Sequence, residues 1–255
     1  MKIVLLGAGN VGHHLALALK QKGARLVQIF NRTKEAAVEL SELTNGTPYT
    51  TDYSEINKDA DLYIIAVKDD AIIEVAANLS KAIGRSIWVA HTSGATSIEV
   101  LAPFFDHYAS FYPLQTFSKE VYVDFEKVPI CLTANEKNGL IFLKKLSNDL
   151  GCPSYDISNE QRKVLHLASV IACNFTNYLL GASKALLEEV ALPYEIIHPL
   201  VNETIKKALI HNPKDVQTGP AIRGDRKTIA GHLELLKDRP DLMKIYSLIS
   251  EGIQK

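Results

Sequence analysis

The chain is predicted to be an α/β protein, with an N-terminal doubly wound parallel sheet followed by a smaller all-helical domain. Three observations predict it. Residues 3–6 (IVLL) form an unbroken apolar run, run directly into GAGNVG at residues 7–12, and are followed by a helical pattern over 13–20. Similar apolar runs then alternate with helical patterns as far as residue 157. From residue 160 onward only helical periodicity remains. Strand–helix alternation implies βαβ units and a parallel sheet whose strands are buried on both faces. The domains are therefore placed at residues 1–157 and 158–255, with Ser158 and Asn159 forming a helix start.

The first turn carries the strongest motif. Gly7 permits a tight exit from the strand, Gly9 leaves room for a pyrophosphate beside the backbone, and Gly12 lets the helix pack on the strand. With Asn10 and Val11 they would present free N–H groups and the positive helix end to phosphate. A GxGxxG pattern alone is weak, but here it follows a strand and opens a helix.

The second strand, residues 25–30, ends in Asn31, Arg32 and Thr33. An acid at this point would bind a ribose 2′-hydroxyl and repel a 2′-phosphate. A neutral Asn followed by an Arg fork and a Thr hydroxyl suits the phosphate, so NADP is the expected cofactor. The alternative is a solvated Arg32 with Thr33 capping a helix over 34–43. A weak strand at 47–51 and a strong one at 61–67 follow. Val67 and Lys68 at its carboxyl end would flank the cofactor, and Asp69 and Asp70 read as a helix cap. Residues 86–90 form the next strand, ending in His91, Thr92, Ser93, Gly94 and Ala95. Ligands of open α/β sheets bind at carboxyl strand ends. His91, Thr92 and Ser93 are thus candidates to meet nicotinamide or substrate, the alternative being a capping turn closed by Thr96 or Ser97. Further strands are expected at 108–112, 128–133 and 153–157, with a helix over 137–150.

Composition narrows the function classes. With 255 residues, 47% hydrophobic and 22% charged, the chain can bury a core. A net charge of −1 gives no electrostatic case for nucleic acid or an anionic membrane. Three isolated cysteines, Cys131, Cys152 and Cys173, offer neither a metal cluster nor a disulfide framework and fit a cytoplasmic protein. The start, with Lys2 alone before the glycine turn, does not read as a signal peptide. The apolar stretch 164–187 contains His166, Asn174, Asn177 and Lys184, which argues for a buried helix over a membrane span.

The helical half supplies the remaining candidates. A long helix over 160–190 is apolar on most of its circumference, so burial between two copies is expected, giving a homodimer through the C-terminal helices. His166, Ser169, Cys173, Asn174 and Asn177 share one face at α-helical spacing. On that face His166 would donate a proton, with Asn174 and Ser169 near the substrate; satisfied interhelical hydrogen bonds are the alternative. The loop TGPAIRGD, residues 218–225, adds Thr218 and Arg223, the latter a fork suited to a carboxylate, with Asp225 capping the next helix. Helices over 194–212, 227–237 and 240–254 complete the chain.

GAGNVG, the strand-end NRT, the HTSGA turn and the helical second half resemble the 6-phosphogluconate-dehydrogenase-like superfamily. Within it the layout is similar to pyrroline-5-carboxylate reductase and to Rossmann-like proteins with a helical domain of unknown function, assigned as deazaflavin-dependent NADP oxidoreductases. FYPLQTFS (residues 111–118), His166 with Asn174, and TGPAIRGD resemble motifs of that last group. The resemblance implies an NADP(H)-dependent oxidoreductase that moves hydride to a C=N or C=O carbon of a small, carboxylated substrate. A non-catalytic NADP(H) sensor and a deazaflavin-dependent NADP reductase are the alternatives. Residues 218–225 lack the Gly-Gly and Thr pair of the pyrroline-5-carboxylate reductase turn, and His166 stands where related hydroxyacid dehydrogenases carry a catalytic lysine.

Overall fold

The computed structural model describes residues 1–255. Eight strands form one sheet in the order β3-β2-β1-β4-β5-β6-β7-β8. They are β1 (Lys2–Leu6), β2 (Arg25–Phe30), β3 (Tyr49–Thr50), β4 (Leu62–Ile65), β5 (Trp88–His91), β6 (His107–Pro113), β7 (Ile130–Ala134) and β8 (Ser154–Asp156). The sheet helices are α1 (Asn10–Gln21), α2 (Lys34–Leu43), α3 (Ile72–Ile83) and α4 (Lys137–Leu150).

The expected double winding follows from the buried strands. In β1, Ile3 and Leu5 join a core with Leu15 and Leu19 of α1 and Leu143 and Leu146 of α4. Val4 and Leu6 point the other way, into a core with Ile72, Val75 and Leu79 of α3. Successive side chains of a strand face opposite sides, so a continuous apolar run fits only a strand covered on both.

The all-parallel expectation fails at one place. β7 runs antiparallel to β6, pairing Tyr112 with Cys131 and Ser110 with Thr133. The connection from β6 to β7 holds only a short 3₁₀ turn, Phe125–Lys127, and so lacks the crossover helix by which parallel neighbours are usually joined. β8 is parallel to β7 because α4 lies between them.

Two compact units divide the chain, Met1–Cys173 and Asn174–Lys255. Helix α5 (Asn159–Ser169) therefore belongs with the sheet, although the sequence pattern changes at residue 158. Ser158 opens α5 with a reciprocal capping box to Gln161. The long helical stretch is not uniformly α. A π-helical turn, Val170–Phe175, separates α5 from α6 (Thr176–Glu188). This corrects the five-residue polar stripe: spacing counted at 3.6 residues per turn does not carry across a π turn. Nor is the stretch buried within one chain. Val164, Leu167, Ile171, Phe175 and Tyr178 are each more than half exposed.

The second unit continues with α7 (His198–Ile210), α8 (Arg226–Leu235) and α9 (Pro240–Ile253). Asp225 caps α8 by accepting the Thr228 N–H at 3.0 Å, as its position predicts.

Candidate active site

The glycine turn is locked by its neighbours. Gly7 has φ +114°, and a Cβ there would lie 2.2 Å from the Ala66 carbonyl oxygen. Its N–H donates to Phe30 O at 2.8 Å. Gly12 packs equally closely, with a Cβ position 2.1 Å from Gly7 O. Gly9 differs: no atom lies within 4 Å of its Cβ position. The N-terminus of α1 has no side-chain cap and no acid in its first turn. An open, uncapped, acid-free helix start fits a pyrophosphate, so the backbone N–H groups of Val11 and Gly12 could hold one.

Two cofactor candidates are engaged elsewhere through their side chains. Asn10 donates its amide to Phe117 O at 2.9 Å, so only its backbone faces the turn. Asn31 accepts the Ala8 N–H at 3.0 Å and donates to Thr33 O and Oγ1, both at 3.0 Å. Asn31 is thus a brace for the glycine turn, and Thr33 does not cap α2. This leaves Arg32, exposed and unpaired, as the cation at the end of β2 that could reach a 2′-phosphate. Val67 lies against the turn, its Cγ1 3.1 Å from the Gly7 Cβ position, and Lys68 beside it is exposed. Asp69 and Asp70 enter a 3₁₀ turn, Asp69–Ala71, without capping a helix through their side chains.

At the end of β5 the HTSGA turn is held from within. Ser93 Oγ accepts from the N–H groups of Thr96 (2.9 Å) and Ala95 (3.2 Å). Thr92 donates its N–H to Ile65 O at 3.1 Å. His91 is fully buried, and its Nδ1 accepts the Ser93 N–H at 3.1 Å. Burial, helped by the Arg162 charge, pulls its pKa down to about 3, so the ring is neutral at working pH. A ring sealed in this way does not deliver protons to a ligand. His91, expected as a second proton donor, is instead part of the turn's frame.

The structure brings together a pair that residue patterns had not joined. Tyr112, at the carboxyl end of β6, places its hydroxyl 3.2 Å from Nδ1 of His166 on α5. Both rings close on Gly94: a Cβ there would sit 2.7 Å from His166 Nδ1 and 2.7 Å from Tyr112 Cζ. Glycine is required here by contact, since any side chain would displace one ring. Burial, reinforced by the fields of Cys131 and Asp69, pushes the Tyr112 pKa up to about 12. The phenol therefore keeps its proton, and its hydroxyl can either donate to His166 Nδ1 or accept from it. Tyr112 lies within the FYPLQTFS stretch. Its position at a carboxyl strand end was the available signal, obscured by the nine other tyrosines of the chain.

The other candidates are placed as follows. Ser169 donates its hydroxyl proton to Leu165 O of its own helix at 2.8 Å, so only its oxygen lone pairs remain for a ligand. Asn174 is exposed in the π turn, as the first residue of the second unit. Arg223 is exposed in the loop before α8. Thr218 lines a cavity of about 330 Å³ with Leu179, Pro220, His232 and Tyr246, in which His232 Nδ1 and Tyr246 Oη are 2.8 Å apart.

Comparison with known proteins bears on the fold, the family and the cofactor. Residues 2–94 match the family model "NADP oxidoreductase coenzyme F420-dependent", and residues 128–253 match a domain of unknown function, DUF2520. The crystal structure of Bacteroides fragilis BF3122, assigned as an NADP oxidoreductase, is 41% identical, with a TM-score of 0.93 over 99% of this chain and 97% of that one. An imine reductase from Myxococcus stipitatus in complex with NADP+ shares the fold at 15% identity, with a TM-score of 0.71 over 100% and 93% of the two chains. A Coxiella burnetii pyrroline-5-carboxylate reductase does so at 16% identity, with a TM-score of 0.62 over 100% and 98%. The chain spans less than a fifth of the length of the first curated relatives it matches, such as Sulfurisphaera tokodaii glutamyl-tRNA reductase, 39% identical over 75 residues, 29% of this chain and 18% of that one. The open helix start at Gly9, the absence of an acid at the end of β2 and the near-complete match to BF3122 converge: the chain belongs to this family of NADP oxidoreductases, and its cofactor is NADP.

Proposed function

We propose that the protein reduces a C=N or C=O bond of a small, carboxylated substrate, with the Tyr112–His166 pair delivering the proton. The observation that carries this reading is the 3.2 Å contact between the two side chains, closed over Gly94 at the carboxyl end of the sheet. NADPH, when bound, supplies the hydride. The protein's part is then placement and a proton. His166 would give its proton from Nε2 as the imidazolium and return to the neutral ring, with the Tyr112 hydroxyl accepting from Nδ1–H and orienting the imidazole. Thr92 and Ser93, on the same turn, are candidates to border the nicotinamide and the substrate. Arg32, with the backbone N–H groups of the glycine turn, anchors the phosphates. NADPH consumption with a panel of cyclic imines and 2-oxo acids tests the reading. Absence of turnover with every member, despite tight NADPH binding, would favour a cofactor-binding sensor. The match to the coenzyme-F420-dependent model supports a second reading, hydride exchange between NADP and a deazaflavin, which direct assay with that cofactor separates.

The Arg32 assignment has its own test. Arg32→Ala should raise the NADPH dissociation constant about tenfold or more, near 1.4 kcal/mol, and leave that of NADH almost unchanged. Equal effects on both cofactors would remove Arg32 from the 2′-phosphate.

A homodimer completes the proposal. The stretch Asn159–Glu188 is long and apolar enough to cross a membrane, and none of its most apolar window is buried within the chain. His166, Asn174, Asn177 and Lys184 on it are poor companions for lipid, whereas the same stripe on a second copy would cover Leu167, Ile171 and Phe175. Light scattering after size exclusion should give twice the chain mass, and Leu167→Asp with Ile171→Asp should shift the population to monomer. A monomeric wild-type chain at micromolar concentration would contradict the proposal.

A further inference from the structure

Arg162 is the largest fully buried side chain of the protein, and its fork donates to a hydroxyl, a carbonyl and an amide oxygen rather than to a carboxylate. Burying a guanidinium without a counter-ion is costly, and an apolar side chain of the same volume would commonly be no worse for stability. Its hydrogen bonds show where the charge is used. Nη1 donates to Thr133 Oγ1 of β7; Nη2 donates to Thr96 O at 2.6 Å and to Asn159 Oδ1 at 2.8 Å. One fork thus ties α5 to β7 and to the turn after β5. Arg162 precedes His166 by four residues, one helical turn, so the two share a face of α5. The Arg162 charge also acts on His91, Tyr112 and Cys131, which lie on the sheet face it covers.

We propose that Arg162 is the positioning residue of the Tyr112–His166 pair: its buried fork clamps α5 to Thr96 and Thr133 so that the His166 imidazole is held at the Tyr112 hydroxyl above Gly94. The inference rests on the assignment of that pair as the proton-delivering group. Lysine cannot replace the fork, because an ammonium on a flexible stem does not span acceptors on three elements in one rigid plane. The clamp matters because the gap is narrow. With 2.7 Å between His166 Nδ1 and the Gly94 Cβ position, a small rotation of α5 parts the two rings.

Arg162→Met is a suitable probe because it orphans little. Thr133 still donates to Ile157 O at 2.8 Å, and Asn159 Oδ1 still accepts the Ile98 N–H at 3.1 Å. Only the Thr96 carbonyl loses its partner. Arg162→Met and Arg162→Lys should both lower kcat on the order of 100-fold, the scale set by misplacing a catalytic group by 1 Å. The NADPH dissociation constant should stay within about twofold, since the phosphate anchors lie elsewhere on the sheet. In both variants nitrogen NMR of the His166 ring should show the Nδ1 resonance moved to where Tyr112→Phe puts it. A wild-type Nδ1 resonance in Arg162→Met would overturn the proposal, as would full activity, or a loss of NADPH affinity that matches the loss of turnover. The resonance needs no substrate. If the wild-type protein turns over nothing in the panel, the functional reading fails, and the NMR comparison still decides whether Arg162 holds the pair.

Discussion

His166→Ala should abolish nearly all turnover, lowering kcat on the order of 1,000-fold, while NADPH binds as tightly as before. The reason is positional. His166 Nδ1 is engaged by the Tyr112 hydroxyl at 3.2 Å, so Nε2 is the ring nitrogen left to face a substrate. The ring's contacts run to Tyr112 and Gly94, away from the phosphate anchors at the glycine turn and Arg32, so cofactor affinity should hold. Tyr112→Phe should cost less, roughly 10- to 100-fold, because the imidazole remains but loses the hydrogen bond that orients it. If Tyr112→Phe were the more damaging of the two, the phenol itself would be the donor and His166 its support. If both variants kept full activity with a substrate the wild type reduces, the pair would not be catalytic. Stopped-flow measurement of NADPH oxidation, with fluorescence titration for binding, resolves these outcomes. The His91 comparison sharpens the test: His91→Asn alters a buried neutral ring that accepts from Ser93 N–H, so its effect should appear in stability before chemistry.

Gly7→Ala should cost about 4 kcal/mol or more, lowering the first thermal transition by roughly 10 °C or preventing folding. Two effects add. At φ +114° an L side chain is strained, and the new Cβ would stand 2.2 Å from Ala66 O and 2.8 Å from Ala66 C. That backbone cannot move aside. Ala66 N–H donates to Leu6 O at 2.7 Å, and β4, which leads into it, is paired on both sides, with β1 and β5. Gly9→Ala provides the contrast. Its φ is −75° and its Cβ position is empty, so thermal stability should change by only a degree or two while NADPH binding weakens about tenfold. A wild-type melting temperature for Gly7→Ala would mean that the turn is not built as described. Wild-type NADPH affinity in Gly9→Ala would mean that the pyrophosphate does not approach there.

The strands were legible in the chain because each local signal agreed with the global fold. IVLL before GAGNVG and the apolar residues of β4 can be satisfied only by burial on both faces. The reversed direction of β7 was not legible, because apolar patterning carries no strand direction and only the missing crossover helix sets it. The polar stripe shows a different limit. Helical spacing joined His166 to Cys173, Asn174 and Asn177, but the π turn at Val170–Phe175 breaks the phase within the helix itself.

By itself the sequence determined the buried strands, the glycine turn, the lack of an acid after β2 and therefore the cofactor class. These depend on local backbone chemistry and short-range periodicity, which a chain carries in its own order. The tertiary structure alone decided which side chains do which work. It sealed His91 in the core, spent Asn31 on the Ala8 N–H, and brought Tyr112 to His166 across 54 positions of chain. Such pairings are set by strand order and by the packing of α5 on the sheet, where sequence distance has no bearing on proximity.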